Sequence, residues 1–279
     1  MKLLVTNDDG VASPGLWSLA DGLRDAGHDV VVVAPAHERS GSGAAIGYIL
    51  PGESVAVSPV ERHGWETTAW GLDGPPALCV VLALRLGAFG QGFSAVVSGI
   101  NPGWNTGRGV IHSGTVGAVL TGGNGGLPGV AVSLEAPTAQ VGEVGLVPGV
   151  EEHWVSATAL AVEAVAWLDG LAAPADGEVP TMLNLNVPNR PLDAVRGVRT
   201  ATLGRAAAEG TRRQPTQVGA DGRLRLDLEP PAMAHLPESD NVLLAEGWAT
   251  VTQLTGMGEA RTAVAEAARR LDVLTGGAT

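Results

Sequence analysis

A chain of 279 residues, 45% hydrophobic and 16% charged, can bury the core of one large α/β domain, with or without an appendage. Its net charge of −12 disfavours binding to a nucleic acid duplex or an anionic membrane surface. Cys79 is the only cysteine, so no intrachain disulfide framework forms, no segment has the apolar length of a membrane span, and the N-terminal apolar run stops at Asn7, too short for a signal-peptide core; a cytoplasmic protein is predicted.

Leu3-Leu4-Val5 predicts an opening strand, and Leu16, Leu19, Ala20 and Leu23, spaced i, i+3, i+4, i+7, predict the helix after it. Ser13 can cap that helix, Pro14 suits its first turn, where the missing N–H costs nothing, and Gly27 ends it. Val30–Ala34 is a continuous apolar run, as expected of a parallel strand covered on both faces. Further strands are predicted at Ala95–Val97, Val130–Ser133 and Met182–Val187, with helices after Pro75-Pro76, from Ser113, and across Ser156–Leu168. The alternation predicts a doubly wound, mainly parallel α/β sheet.

Near Pro188 the composition shifts toward Arg, Pro and Gly, and Arg223–Leu228 alternates like an exposed hairpin strand. The chain thus divides into a core over residues 1–190, a projecting β arm over 191–246 and a C-terminal part over 247–279. In that last part Trp248–Leu254 reads as a returning strand and Glu259–Leu274 as an amphipathic helix, with Val264, Ala267, Ala268, Leu271 and Leu274 on one face.

Asn7-Asp8-Asp9-Gly10 sets two adjacent carboxylates where the first strand gives way to a turn. Neighbouring side chains on a strand point to opposite faces, so the pair converges only once the backbone has left the extended conformation. Two carboxylates about 4 Å apart repel by roughly 1 to 4 kcal/mol, and a divalent cation turns that repulsion into attraction. The alternative is an Asp-rich turn that caps the next helix.

Open α/β sheets bind ligands at the carboxyl ends of their strands. Three loops fall there: Ala34–Gly43, Ser98–Gly107, and Ser113-Gly114-Thr115 at the start of a helix. Converging on Asp8 and Asp9, they can bring Ser40 and Asn101 as neutral oxygen ligands, and such an all-oxygen shell favours Mg²⁺ or Mn²⁺ over zinc. Gly41-x-Gly43 lacks the spacing of a dinucleotide fingerprint.

These residues carry a resemblance. Asn7-Asp8-Asp9-Gly10, Ala34-Pro35 through Arg39-Ser40-Gly41, Ser98-Gly99-Ile100-Asn101 with Asn105 and Gly107, and Ser113-Gly114-Thr115-Val116 are together similar to the SurE survival proteins, metal-dependent phosphatases acting as nucleotidases. The likeness extends through Pro128–Ser133 and Leu185-Asn186-Val187-Pro188 to the last strand. It implies a Rossmann-like core, a projecting arm and homodimers or tetramers. It also implies one divalent metal per subunit, held by Asp8, Asp9, Ser40 and Asn101, with Asp8 and Asp9 as the catalytic pair. Asn7, Gly41, Asn105, Ser113, Gly114 and Thr115 would bind phosphate or substrate, with the N–H groups of Ser113, Gly114 and Thr115 facing the phosphate.

The expected reaction is hydrolysis of nucleoside monophosphates by a 5′-nucleotidase, with 3′-nucleotide and polyphosphate cleavage as companion activities. Attack by a metal-activated water is preferred to attack by Asp9, because a carboxylate tied to metal is a poorer nucleophile. A non-catalytic nucleotide- or metal-responsive binding protein on the same fold is the alternative. The chain departs from the family at His112, which stands where Tyr is usual, at Ser42–Gly47, which is poorer in hydroxyl and amide side chains, and at Asp73-Gly74-Pro75-Pro76. The family's Thr-Asp before the last strand is matched by Ser239-Asp240. Trp104 reads either as a stacking platform for a nucleobase or as an anchor for its own loop, and Cys79 as core.

Overall fold

The apolar run at the N-terminus forms β1 (Lys2–Thr6) at the centre of a nine-stranded sheet, seen in a computed structural model that describes residues 1–47, 52–66, 68–136, 152–171, 178–205, 221, 223 and 236–256. The strands are β2 (Asp29–Pro35), β3 (Val57–Pro59), β4 (Ala69–Leu72), β5 (Ala95–Pro102), β6 (Gly129–Leu134), β7 (Met182–Val187), β8 (Val198–Thr200) and β9 (Ala249–Leu254). Their order is β3-β4-β2-β1-β5-β6-β7-β9-β8. Pairing is parallel except for β3 on β4 and β9 on β7, so β9 is the returning strand that the sequence predicts. The helices are α1 (Pro14–Asp25), α2 (Pro76–Leu86), α3 (Gly114–Asn124), α4 (Trp154–Asp169) and the short α5 (Asp240–Ala245).

Strand residues alternate between two cores. Leu3, Val5, Val30 and Val32 pack against Leu16, Leu19 and Leu23 of α1 and against Ala157, Ala161 and Val165 of α4. Leu4, Val31, Val33 and Val96 face Leu78, Cys79 and Leu82 of α2 on the other side. Both faces are therefore covered, which explains why these strands read as unbroken apolar runs. Pro14 starts α1 as expected, and Ser13 holds the extended N-cap conformation, although its side chain makes no capping hydrogen bond. Cys79 is a buried free thiol, and burial pushes its pKa up to about 12.

β8 lies within the segment read as an arm, yet it is an edge strand of the main sheet, parallel to β9. Of Arg223–Leu228 only Arg223 is described, and Glu259–Leu274 falls outside the described residues. No helix among the described residues is long and apolar enough to cross a membrane.

The topology positions the site. The chain runs outward from β1 through β2 to β4, then returns to the other side of β1 to build β5, β6 and β7. The switch point lies between β1 and β5, where Val5 pairs with Val97 and Thr6 with Ser98, so the loops leaving these two strands part and open a crevice between them.

Candidate active site

Asn7 is fully buried, and its Nδ2 donates to Gly10 O at 3.1 Å, closing the turn that carries the two aspartates. Gly10 sits at φ +94, where side-chain-bearing residues are strained, and a Cβ there would lie 3.1 Å from the His37 carbonyl carbon. The turn after β1 and the loop after β2 are joined by Arg39 N–H donating to Asp8 O at 2.7 Å and Val11 N–H to Pro35 O at 2.7 Å.

Asp8 is 4% exposed. Its Oδ1 accepts from the Thr115 hydroxyl at 2.5 Å, and the N–H groups of Gly114 and Thr115 also bear on its carboxylate. Burial nevertheless outweighs these donors and raises its pKa above the ordinary 3.8. Asp9 is half-buried, and its Oδ2 is buried without a partner. Its pKa is pushed up to about 8, first by burial, then by the negative charges of Asp8 and Glu38.

A cavity of about 560 Å³ opens above this pair, lined by Asp8, Asp9, Ala12, Ser13, Pro14, Glu38, Ser40, Gly41, Asn101, Pro102, Asn105, Gly109, His112 and Ser113. Ser40 Oγ donates to Glu38 Oε1 at 2.8 Å, which leaves its lone pairs for a cation. Asn101 Nδ2 donates to Gly103 O at 2.7 Å, which leaves Oδ1 as its uncommitted acceptor. The structure thus brings all four expected metal-binding residues to one cavity. Their donor set fits a hard divalent ion: crowded negative charge, a partnerless carboxylate oxygen and two neutral oxygens. No group of three or more His, Cys, Asp or Glu that could hold a metal ion occurs among the described residues, so a cation here would depend on the neutral oxygens of Ser40 and Asn101 beside the two carboxylates.

The start of α3 differs from expectation. Ser113 Oγ accepts from Val116 N–H at 3.1 Å, a true N-cap, and Ser113 N–H donates to Val110 O at 3.1 Å. The Gly114 and Thr115 amides lie near Asp8 and favour its ionised form, so this helix end serves the aspartate. Ser113 retains a place in the cavity wall, while Asn7, Gly114 and Thr115 do not line it. Gly114 is a steric necessity, because a Cβ would lie 2.7 Å from both Asp8 Cβ and Ser42 Oγ. Gly117 similarly admits the backbone of Gly43, whose carbonyl oxygen would lie 2.2 Å from an added Cβ.

Gly41 and Asn105 line the cavity as expected. His112 stands exposed at its edge, with its backbone carbonyl accepting from Gly43 N–H at 3.1 Å. Trp104 is not part of the lining, and its indole N–H is buried without a partner. Sequence reasoning missed Glu38, which shapes the charge at Asp9, and the buried Asn184 and Asn186 beneath Asn105. Two asparagines at i, i+2 in the otherwise apolar Met182–Val187 were the available signal for the latter pair.

Comparison with known proteins agrees with this fold. The family model described as survival protein SurE matches residues 3–210. The chain is 40% identical over 211 residues to the 5′-nucleotidase SurE of Stenotrophomonas maltophilia (strain R551-3), covering 75% of this chain and 73% of that protein. It is 38% identical over 218 residues to the 5′-nucleotidase SurE of Actinobacillus pleuropneumoniae serotype 5b (strain L20), covering 77% and 78%. Among solved structures it superposes on the SurE protein from Aquifex aeolicus with a TM-score of 0.74 at 25% identity, over 98% of this chain and 100% of that one.

Proposed function

The chain belongs to the SurE family, and from that premise we propose that the Asp8–Asp9 cavity hydrolyses nucleoside monophosphates as a metal-dependent 5′-nucleotidase, a phosphoric monoester hydrolase. The observation that carries this reading is Asp9, a half-buried carboxylate with a partnerless oxygen facing a second carboxylate, an arrangement that a proton relieves in the metal-free protein and a divalent cation relieves when bound. We assign one divalent ion, Mg²⁺ or Mn²⁺, to Asp8, Asp9, Ser40 Oγ and Asn101 Oδ1. Such an ion, when bound, polarises a phosphoryl oxygen and lowers the pKa of a water for attack on phosphorus.

The protein's own groups orient the ester. Asn105, Gly41 and Ser113 wall the cavity beside the aspartates and would hold the phosphoryl group in line. Gly114 and Thr115 act one step back, by fixing Asp8, and Asn7 by holding the turn. Glu38 keeps Ser40 in place through its hydrogen bond. The site grips phosphate through the metal and the wall beside the aspartates and leaves the rest of the ligand to the surrounding loops, so broad selectivity among bases is expected.

The test is a substrate panel of 5′- and 3′-nucleoside monophosphates and polyphosphate with Mg²⁺, Mn²⁺ or Co²⁺. Phosphate release from nucleoside 5′-monophosphates is expected. No turnover above the metal-only background overturns the reading, and binding without release would favour a nucleotide-responsive binding protein instead. Homodimers or dimers of dimers, and a cytoplasmic setting that suits the lone buried thiol, complete the proposal.

A further inference from the structure

Asp240 opens α5 with no solvent exposure, and both of its carboxylate oxygens accept from backbone N–H groups. Oδ2 accepts from Gly107 at 2.7 Å, and Oδ1 accepts from Gly204 and from Asn241, each at 2.8 Å. Gly107 is 133 positions away in sequence and lies buried between Asn105 and Gly109, which both line the cavity. The 3-10 turn that it begins ends at Ser113, the cap of α3.

Asn105 is gripped from the other side. Its N–H donates to Asn186 Oδ1 at 2.8 Å, and its carbonyl accepts from Asn184 Nδ2 at 2.8 Å and Asn186 Nδ2 at 2.9 Å. Its own Nδ2 donates to Ser133 Oγ at 2.9 Å. Ser133, Asn184 and Asn186 are fully buried, and Ser133 pairs in register with Asn186 across β6 and β7. Apolar anchors would hold a loop down equally well, and a buried carboxylate or amide is costly unless its partners are supplied. What directional bonds add is orientation, and they converge on the backbone that presents Asn105 to the cavity.

We propose that Asp240, with Ser133, Asn184 and Asn186, positions the 105–107 segment so that Asn105 and the wall from Gly109 to Ser113 meet the phosphoryl group in one geometry. The same carboxylate joins this wall to the roots of another segment. Gly204 O accepts from Arg108 N–H at 3.2 Å, Thr202 N–H donates to Glu238 O at 3.0 Å, and Asp240 N–H donates to Thr202 O at 2.9 Å. Thr202–Gly204 and Glu238–Asp240 are therefore held at a single knot that also holds Gly107. The kinetic consequence rests on the phosphomonoesterase reading above, whereas the loop geometry does not.

Asp240→Asn keeps the size of the side chain but sets an amide NH₂ against backbone N–H donors, and Ser133→Ala removes one bond to Asn105 with little disturbance to packing. Wild type and both variants are compared by hydrogen exchange of the peptide spanning 105–113, by the Mn²⁺-induced rise in melting temperature, and by kcat and KM for a nucleoside monophosphate. Asp240→Asn should exchange about tenfold faster over 105–113 while β1 and β5 stay protected. It should keep the Mn²⁺-induced rise and lose about tenfold to a hundredfold in kcat/KM. Ser133→Ala should show a smaller loss of the same kind.

Wild-type exchange over 105–113 or wild-type kcat/KM in folded Asp240→Asn overturns the proposal, as does loss of the Mn²⁺-induced rise in step with activity. If Asp240→Asn does not fold, Ser133→Ala decides, and unchanged kcat and KM there overturn it. If the wild type turns over no phosphomonoester, the functional reading falls and the exchange comparison alone decides the positioning role.

Discussion

Thr115 reaches from the first turn of α3 to donate its hydroxyl to Asp8 Oδ1 at 2.5 Å, joining residues 107 positions apart. With the neighbouring amides, this makes Asp8 the anion that sits at the positive end of the helix. Asp9 receives no such support and keeps an unpartnered oxygen. One carboxylate is thus placed by the fold, and the other is left for a ligand.

Thr115→Val should keep the shape of the side chain and remove the charge-assisted bond, which is worth about 1.5 to 3 kcal/mol in favour of ionised Asp8. Mn²⁺ affinity and phosphatase activity should both fall by about tenfold or more. Calorimetric titration with Mn²⁺ checks this, and a variant with wild-type affinity would show that the bond does not set the state of Asp8.

Asp8→Asn should leave the stability of the metal-free protein unchanged or slightly higher, because it removes a repulsion with Asp9. Activity should collapse. A metal that binds only the folded state stabilises it by about 2.7 kcal/mol at a hundredfold excess over Kd, and Asp8→Asn should lose most of the resulting rise in melting temperature. Melting curves with and without Mn²⁺ decide the point, and a full metal-induced rise in the mutant would return Asp8 to the role of a turn residue.

The aspartate pair also sets a pH dependence. Both carboxyls have folded-state pKa values raised above 3.8, Asp9 to about 8, so the folded protein holds protons that the unfolded chain has already released. Stability of the metal-free protein should therefore fall as pH rises from about 4 to about 8, and the added stability from Mn²⁺ should grow over the same window. Asp9→Asn should flatten the first trend. Urea titrations of the two proteins across that range test it, and parallel curves would remove Asp9 as the source.

Gly114→Ala would place a methyl group 2.7 Å from Asp8 Cβ and 2.7 Å from Ser42 Oγ. Overpacking of this kind costs about 1 to 3 kcal/mol, and here the atoms that must yield carry the metal site. Loss of Mn²⁺ binding should exceed what the drop in stability explains. Gly126→Ala, with nothing within 4 Å of its added Cβ but a φ of +88, serves as a comparison that is strained yet distant from the metal ligands, and equal loss of Mn²⁺ binding in both would defeat the steric account.

Assembly is the remaining expectation. Val155 at 79% and Ile111 at 69% exposure leave large apolar side chains in solvent, and a symmetric dimer or larger assembly is expected to cover such surface. Light scattering on the intact chain at micromolar concentration measures this directly, and a monomer would contradict it.

Legibility in the sequence followed the range of the forces involved. Val30–Ala34 was readable within β2 because burial on both faces demands an apolar run, and Asp8-Asp9 because adjacent like charges are a local anomaly. Ala69–Leu72 offers neither a run nor alternation, and is a strand only because Val32–Pro35 pairs with it. Val57–Pro59 and Val198–Thr200 are three-residue exposed edges that carry no burial signal. Ser113 was readable as a cap, but the bond from the Thr115 hydroxyl to Asp8 depends on a strand more than a hundred residues earlier. Asp240 was noticed only as part of a dipeptide, since its partners at Gly107 and Gly204 are visible only in three dimensions.

Because Asp9 keeps its proton up to a pKa of about 8, the metal-free site is already occupied at that oxygen by the smallest of cations. A divalent ion that binds there would have to displace that proton, so loading the site would release acid. Acid and metal would then compete for one oxygen, and the proton count released on loading would report how far that competition reaches.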